Sequence, residues 1–241
     1  HNMEKRKLMV NTIYPAFMGE VNLLGIGAPC TFVRLSGCNL RCYKNTMGTL
    51  CDTPEALELK CGKPMSVDEI IMQLDKYAER PIICLTGGEP LMQDVAELLE
   101  ELSSKGYVVI VETNGSISIA PYKHIKNVYF VVDCKSESSG EHLRMFETNY
   151  KVMGKGDYLK FVINDELDYY GMRKWIIEHP DFRGNVAVGL FWGSELSYKE
   201  LMNSLREDRL NVYVNMQTHK MACLYDEHSG ELSKLIIPKD L

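Results

Sequence analysis

The chain has no run approaching the roughly 20 consecutive apolar residues that a spanning helix needs, so no helical membrane protein is expected. It also lacks an excess of positive charge. Its 27 Lys and Arg stand against 33 Asp and Glu, for a net charge of −6 at pH 7 and a pI near 5.6. A basic face for nucleic acid or an anionic membrane surface is therefore not expected. No signal peptide is visible, and eight cysteines without one point to a reducing cytoplasm rather than to a disulfide framework. No Gly-rich dinucleotide loop follows a strand; Gly25 and Gly27 precede one instead. Linkers and low-complexity segments are absent too.

What is present is an ordinary globular composition, 45% hydrophobic and 25% charged over 241 residues. That suffices for one large α/β domain or two small ones; the chain is taken as one domain, residues 3–241, with His1-Asn2 ahead of Met3 set aside. An apolar stretch runs from Leu8 to Ile13. Short apolar runs then recur at 31–35, 81–85, 107–111, 128–132, 158–163, 186–190 and 212–216, each of strand length. Helical patterns fall between several of them. Ser66-Val67-Asp68-Glu69 and Ser197-Tyr198-Lys199-Glu200 are capping boxes, in which the serine oxygen takes a backbone N–H and the glutamate reaches back. Leu91, Val95, Leu98, Leu99 and Leu102 mark a helical face that Gly106 stops. Helices are also expected near 140–150 and 167–178. Strand and helix alternate about six times, which predicts parallel strands with helices outside, in a closed or partly closed barrel or a doubly wound sheet.

Three cysteines share one loop after the run at 31–35: Gly37-Cys38-Asn39-Leu40-Arg41-Cys42, then Cys51-Asp52-Thr53-Pro54. Three thiolates so placed can hold three irons of a four-iron cluster and leave the fourth iron open to a small molecule. A structural zinc site with Cys61 as fourth ligand is the alternative. The gaps of three, eight and nine residues fit the usual paired spacing of such sites poorly. Cys30, Cys84, Cys134 and Cys223 lie in or beside apolar runs and read as small core residues.

Other polar motifs fall at successive strand ends: Thr86-Gly87-Gly88-Glu89-Pro90, Glu112-Thr113-Asn114-Gly115, Asp133-Cys134-Lys135-Ser136 and Gln217-Thr218-His219-Lys220. In a barrel these ends converge on one face, where the active site lies. Gly87-Gly88 offers bare backbone to a ligand or is a plain strand-to-helix turn. Glu112, Lys135, Ser136 and His219 would each read as rim or structural residues if isolated. Together they suggest a pocket for an amino acid joined to a ribose, beside a redox cluster.

At this point the sequence resembles the radical S-adenosylmethionine superfamily, through its three-cysteine loop and its GGEP motif. The second cysteine gap is longer than that superfamily's, and Leu50 stands where an aromatic residue usually precedes the third cysteine. Within it, the chain from about residue 12 to 221 is similar to the 7-carboxy-7-deazaguanine synthase family. The likeness rests on Gly19-Glu20, Phe32 to Cys42, Cys51-Asp52-Thr53-Pro54, Gly62 to Ser66, Glu112 to Gly115, Ser138-Ser139-Gly140 and Gln217 to Lys220.

The resemblance implies a partial (β/α)6 barrel, with a cluster loop over 36–54, an insertion at 43–50 and a C-terminal cap over 217–241. Cys38, Cys42 and Cys51 would hold a [4Fe–4S] cluster, and S-adenosylmethionine would chelate its open iron. Gly87, Gly88, Glu89, Glu112, Asn114, Lys135 and Ser136 would surround that cofactor, and Thr53 would hold Mg²⁺. Glu20, Arg34, Gly88 and His219 would bind the pterin substrate. A 5′-deoxyadenosyl radical would take a hydrogen from 6-carboxytetrahydropterin; the ring contracts and ammonia leaves, a step toward queuosine and other deazapurines. No side chain serves as acid or base. A flavodoxin- or ferredoxin-type electron donor and a homodimer are further implied. Met18 stands where this family commonly has glutamine. A different radical enzyme, such as a glycyl-radical activase, and a zinc-binding module are the competing expectations.

Overall fold

The computed structural model describes residues 5–43, 51, 53–191 and 193–221. One nine-stranded sheet organises them. Its strands are β1 Lys7–Phe17, β2 Pro29–Leu35, β3 Lys63–Ser66, β4 Ile82–Gly87, β5 Val108–Thr113, β6 Val128–Lys135, β7 Tyr158–Ile163, β8 Asn185–Leu190 and β9 Tyr213–Val214. The order is β3-β1-β2-β4-β5-β6-β7-β8-β9. β1 runs antiparallel to both neighbours, and every pair from β2 to β9 is parallel. β3 and β9 end the sheet without pairing to each other, so the barrel is partial. Among the described residues, no helix is long and apolar enough to cross a membrane.

The helices are α1 Val67–Asp75, α2 Ala96–Ser104, α3 Asn149–Val152, α4 Glu166–Glu178, α5 Tyr198–Glu207 and α6 Thr218–Met221. Both expected capping boxes form, at Ser66/Glu69 and Ser197/Glu200. Strand residues alternate between two faces. Val33, Leu35, Ile83, Leu85, Val109, Val111, Phe130, Val132, Leu159 and Phe161 point outward into the core shared with the helices. Cys30, Cys84, Ile110, Val131, Tyr158 and Ala187 point inward and pack with Met18 and Val21 as a smaller apolar cluster. Burying both faces explains why these strands read as continuous apolar runs.

Three expected elements differ. The helix through Leu91 and Leu102 is broken: a 3₁₀ turn at Pro90–Met92 precedes α2, and Gln93 between them is extended. The Gln93 amide accepts from Met9 N at 2.8 Å and donates to Met9 O and Ser36 O, each at 3.0 Å. These bonds tie β1 to the cluster loop in place of a helical turn. In place of a helix at 140–150 come two 3₁₀ turns, Glu137–Ser139 and His142–Arg144, then the single turn of α3. Gly140, at φ +75°, is left-handed and ends the first turn. The last strand shortens to the two residues of β9; just past it Asn215 N still donates to Val188 O at 2.7 Å, while its side chain bonds Val21 N at 2.9 Å and Glu20. Residues 44–50 and 222–241, which include most of the insertion, most of the C-terminal cap and Cys223, lie outside the described residues.

Candidate active site

The cluster loop leaves β2 already anchored. Gly37 N donates to Ala56 O at 2.8 Å and Cys38 N to Leu57 O at 2.9 Å, while Glu89 N donates to Gly37 O at 2.8 Å. Arg41 closes the loop on itself through Cys38 O at 2.8 Å and Leu40 O at 2.7 Å, and pairs with Glu58 at 2.9 Å. Donors are aimed at two of the three sulfurs. Cys38 Sγ accepts from Leu40 N at 3.5 Å and from Asn114 Nδ2 at 3.8 Å. Cys51 Sγ accepts from Thr53 N at 3.3 Å and lies 3.2 Å from Thr53 Oγ1. Burial pushes the Cys42 thiol up to about 11, while the Lys135 ammonium pulls it down and nearby Cys51 and Cys38 push it further up. Three neighbouring sulfurs, two of them with N–H donors, fit a thiolate-ligated cluster, where such bonds stabilise charge on sulfur. Among the described residues, no three His, Cys, Asp or Glu side chains are gathered for one metal ion. Cys61 is exposed, unlike a ligand of a closed structural zinc site.

The GGEP motif lies directly beneath this loop. Gly87 O accepts from Arg34 Nη1 at 3.1 Å. Glu89 is fully buried, and its two oxygens accept from Thr113 Oγ1 at 2.5 Å and Asn114 N at 3.1 Å. Burial pushes its carboxyl up to about 8, against the pull of those two bonds. Glu89 thus joins the end of β4 to the end of β5 and holds Asn114, whose amide also donates to Asn39 Oδ1 at 3.0 Å. Pro90, the last residue of the motif, opens the 3₁₀ turn Pro90–Met92.

The inward face of the strands becomes charged toward this end. Glu112 on β5, Asp133 and Lys135 on β6 and Lys160 on β7 alternate with the outward apolar residues. Asp133 and Lys160 are direct neighbours in the register. Lys135 Nζ lies 2.6 Å from Asp133 Oδ2, and Lys160 Nζ lies 3.2 Å from both Asp133 Oδ1 and Glu20 Oε1. Glu20 Oε1 also accepts from Asn215 Nδ2 at 2.9 Å and Gln217 Nε2 at 3.1 Å. Burial would raise the Glu20 carboxyl, but Lys160 and Asn215 outweigh it and hold it below its ordinary value. Burial and the Glu20 charge push the Glu112 carboxyl up to about 7, against the pull of Lys160. His219 on α6 adds to the field on Glu20, and its ring packs over Gly19. Ser136 Oγ donates to Val162 O at 2.6 Å, clasping β6 to β7.

The structure therefore brings Glu20, Glu112, Lys135 and His219 to one mouth and sets Cys38, Cys42, Cys51, Thr53, Gly87, Gly88 and Asn114 beside it. Met18 is 1% exposed and lies among the apolar floor residues, not in the charged layer. Asp133, Lys160 and Asn215 were not among the expected site residues. The available signal was a lysine at an inward position of the otherwise apolar run Tyr158 to Ile163. A surface depression of about 310 Å³ near Leu8, Val67 and Ala96 lies on the outer helical face, away from these groups.

The chain is similar to known proteins. Residues 23–150 match the family described as 4Fe-4S single cluster domain. A 7-carboxy-7-deazaguanine synthase of Koribacter versatilis is 34% identical over 229 residues, covering 88% of this chain and 96% of that protein. One of Leptospira interrogans is 32% identical over 235 residues, covering 90% and 96%. The crystal structure of QueE from Escherichia coli shares the fold with a TM-score of 0.68 at 17% identity, covering 88% of this chain and 94% of that one. With relatives above 30% identity matched over nearly their full length and a three-thiol loop at the parallel strand ends, the chain belongs to the 7-carboxy-7-deazaguanine synthase family.

Proposed function

We propose that this chain converts 6-carboxytetrahydropterin to 7-carboxy-7-deazaguanine with loss of ammonia, as a radical S-adenosylmethionine lyase. The observation that carries the reading is that the cysteine loop and the Glu20–Lys160–Asp133–Lys135 charge layer meet at one end of the partial barrel. When bound, a [4Fe–4S] cluster with S-adenosylmethionine supplies, on one-electron reduction, a carbon radical able to take hydrogen from a substrate carbon. The Cys38, Cys42 and Cys51 thiolates hold the cluster. Bare backbone at Gly87-Gly88, with Glu89, Glu112, Asn114, Lys135 and Ser136, bounds the cofactor. Arg34 forks onto the substrate carboxylate, Glu20 accepts from the pterin N–H edge, and His219 closes the far side. The Thr53 hydroxyl is an oxygen donor of the kind Mg²⁺ prefers. A flavodoxin- or ferredoxin-type donor supplies the electron, and the working unit is a homodimer in the cytoplasm.

The test is anaerobic incubation with S-adenosylmethionine, reductant, Mg²⁺ and 6-carboxytetrahydropterin, with mass detection of product. Deazaguanine formed by the wild type and lost in Cys38→Ala, Cys42→Ala and Cys51→Ala is expected. Cleavage of S-adenosylmethionine without any deazaguanine would assign a different radical reaction.

A further inference from the structure

Lys160 stands out among the groups that the proposed reaction leaves unassigned. It lies at the centre of the inward face with its side chain 8% exposed, and one ammonium spans two carboxylates on different elements, Glu20 and Asp133, at 3.2 Å each. Three donors converge on Glu20 Oε1: Lys160 Nζ, Asn215 Nδ2 and Gln217 Nε2. Oε2 receives none of these three. Glu20 thus has one oxygen committed to the protein and a second left for a ligand. On the other side, the second oxygen of Asp133 is held by Lys135, whose charge acts on Cys42. The ammonium therefore links the substrate end of the mouth to the cluster end.

We propose that Lys160 is a positioning residue for substrate binding: it holds Glu20 in place and ionised so that the free carboxylate oxygen accepts an N–H of the pterin. The inference rests on the reading of Glu20 as a substrate-facing group. The surrounding charges make the ammonium necessary. Glu20 faces Glu112 from β5 and Asp133 from β6, both acidic. It also faces Lys160 from β7, the neutral amides of Asn215 and Gln217, and His219 from α6. Without Lys160, burial and two neighbouring acids act together to favour the protonated form. A protonated Glu20 would offer an O–H where the ligand needs an acceptor.

The experiment measures binding of 6-carboxytetrahydropterin to anaerobic, S-adenosylmethionine-loaded holoenzyme by calorimetry, in buffers from about pH 6 to about pH 9. The wild type and Lys160→Arg, which keeps the charge, are expected to share one pH profile. Any titration of the ligand itself is common to both. Lys160→Met is expected to bind at least about tenfold more weakly near neutrality and to regain affinity as the pH rises, because Glu20 must then lose a proton first. The spectrum of its reduced cluster should match the wild type's. Should Lys160→Met fail to fold, Lys160→Gln carries the same expectation. Wild-type affinity and an unchanged pH profile in the uncharged variants would overturn the positioning role alone. Absence of pterin binding to the wild type would overturn the functional reading along with it.

Discussion

A Cβ on Gly88 would stand 2.4 Å from the carbonyl oxygen of Gly37 and 2.7 Å from that of Ala56. The end of β4 and the start of the cluster loop therefore occupy adjoining space with no room for a side chain. Both obstacles are backbone, so no rotamer change relieves them. Gly88→Ala is expected to cost about 1–3 kcal/mol of stability and to displace the loop that carries Cys38. Iron and sulfide analysis after anaerobic reconstitution checks this: the variant should retain less cluster per chain. Full iron content at unchanged stability would count against the close packing.

Glu89 links pH to stability. Its folded carboxyl sits at about 8, against an ordinary value of 4.5. Between those values the folded protein holds a proton that the unfolded chain has released. The contribution is fully present below about 4.5 and is lost as pH rises through about 8. Glu89→Gln keeps the shape and cannot ionise. Its melting temperature should fall less than the wild type's between about pH 5 and 8. Glu112, pushed up to about 7, acts in the same direction, so the slope shrinks without vanishing. Parallel curves for the two proteins would refute the linkage.

The imidazole of His219 occupies the space beside Gly19: an added Cβ there would lie 2.3 Å from His219 Nδ1. Gly19→Ala should push that ring away from Glu20 while leaving the cluster loop untouched. The expected result is weaker carboxypterin binding, by about tenfold or 1.4 kcal/mol, with normal iron content. Calorimetry and iron analysis on one preparation test both halves.

Met18 lies in the apolar floor with Val21, Cys30, Cys84 and Ile110. Met18→Gln would place an amide there. Buried among apolar neighbours, that amide is expected to cost about 1–3 kcal/mol, read as a lower urea midpoint without bound substrate. A variant as stable as the wild type would mean that the amide finds a partner at the mouth.

Much of the fold was legible because local signals and tertiary packing agree. The runs at 31–35, 81–85 and 158–163 are buried on both faces and carry no competing pattern. The boxes at Ser66 and Ser197 satisfy helix N-termini by contacts only three residues apart. The signals failed where a distant contact overrides the local one. Gln93 abandons a helix to bridge Met9 and Ser36, and Asn215, just past the shortened β9, reaches Val21 and Glu20 with its side chain. The cysteine loop was legible as chemistry, since its three thiols lie close in sequence. The charge layer was not, because Glu20 and Lys160 are 140 positions apart and meet only when the sheet curves.

The order of residues alone determined which groups bear chemistry, where strands begin and that parallel strand ends would collect them, because periodicity and loop spacing are local properties. Only the tertiary structure decided that Lys160 shares one ammonium between Glu20 and Asp133 and that Glu89 is buried beneath the cluster loop. Those pairings depend on strand register and curvature, which are set by the packing of the whole sheet and not by any short stretch of chain.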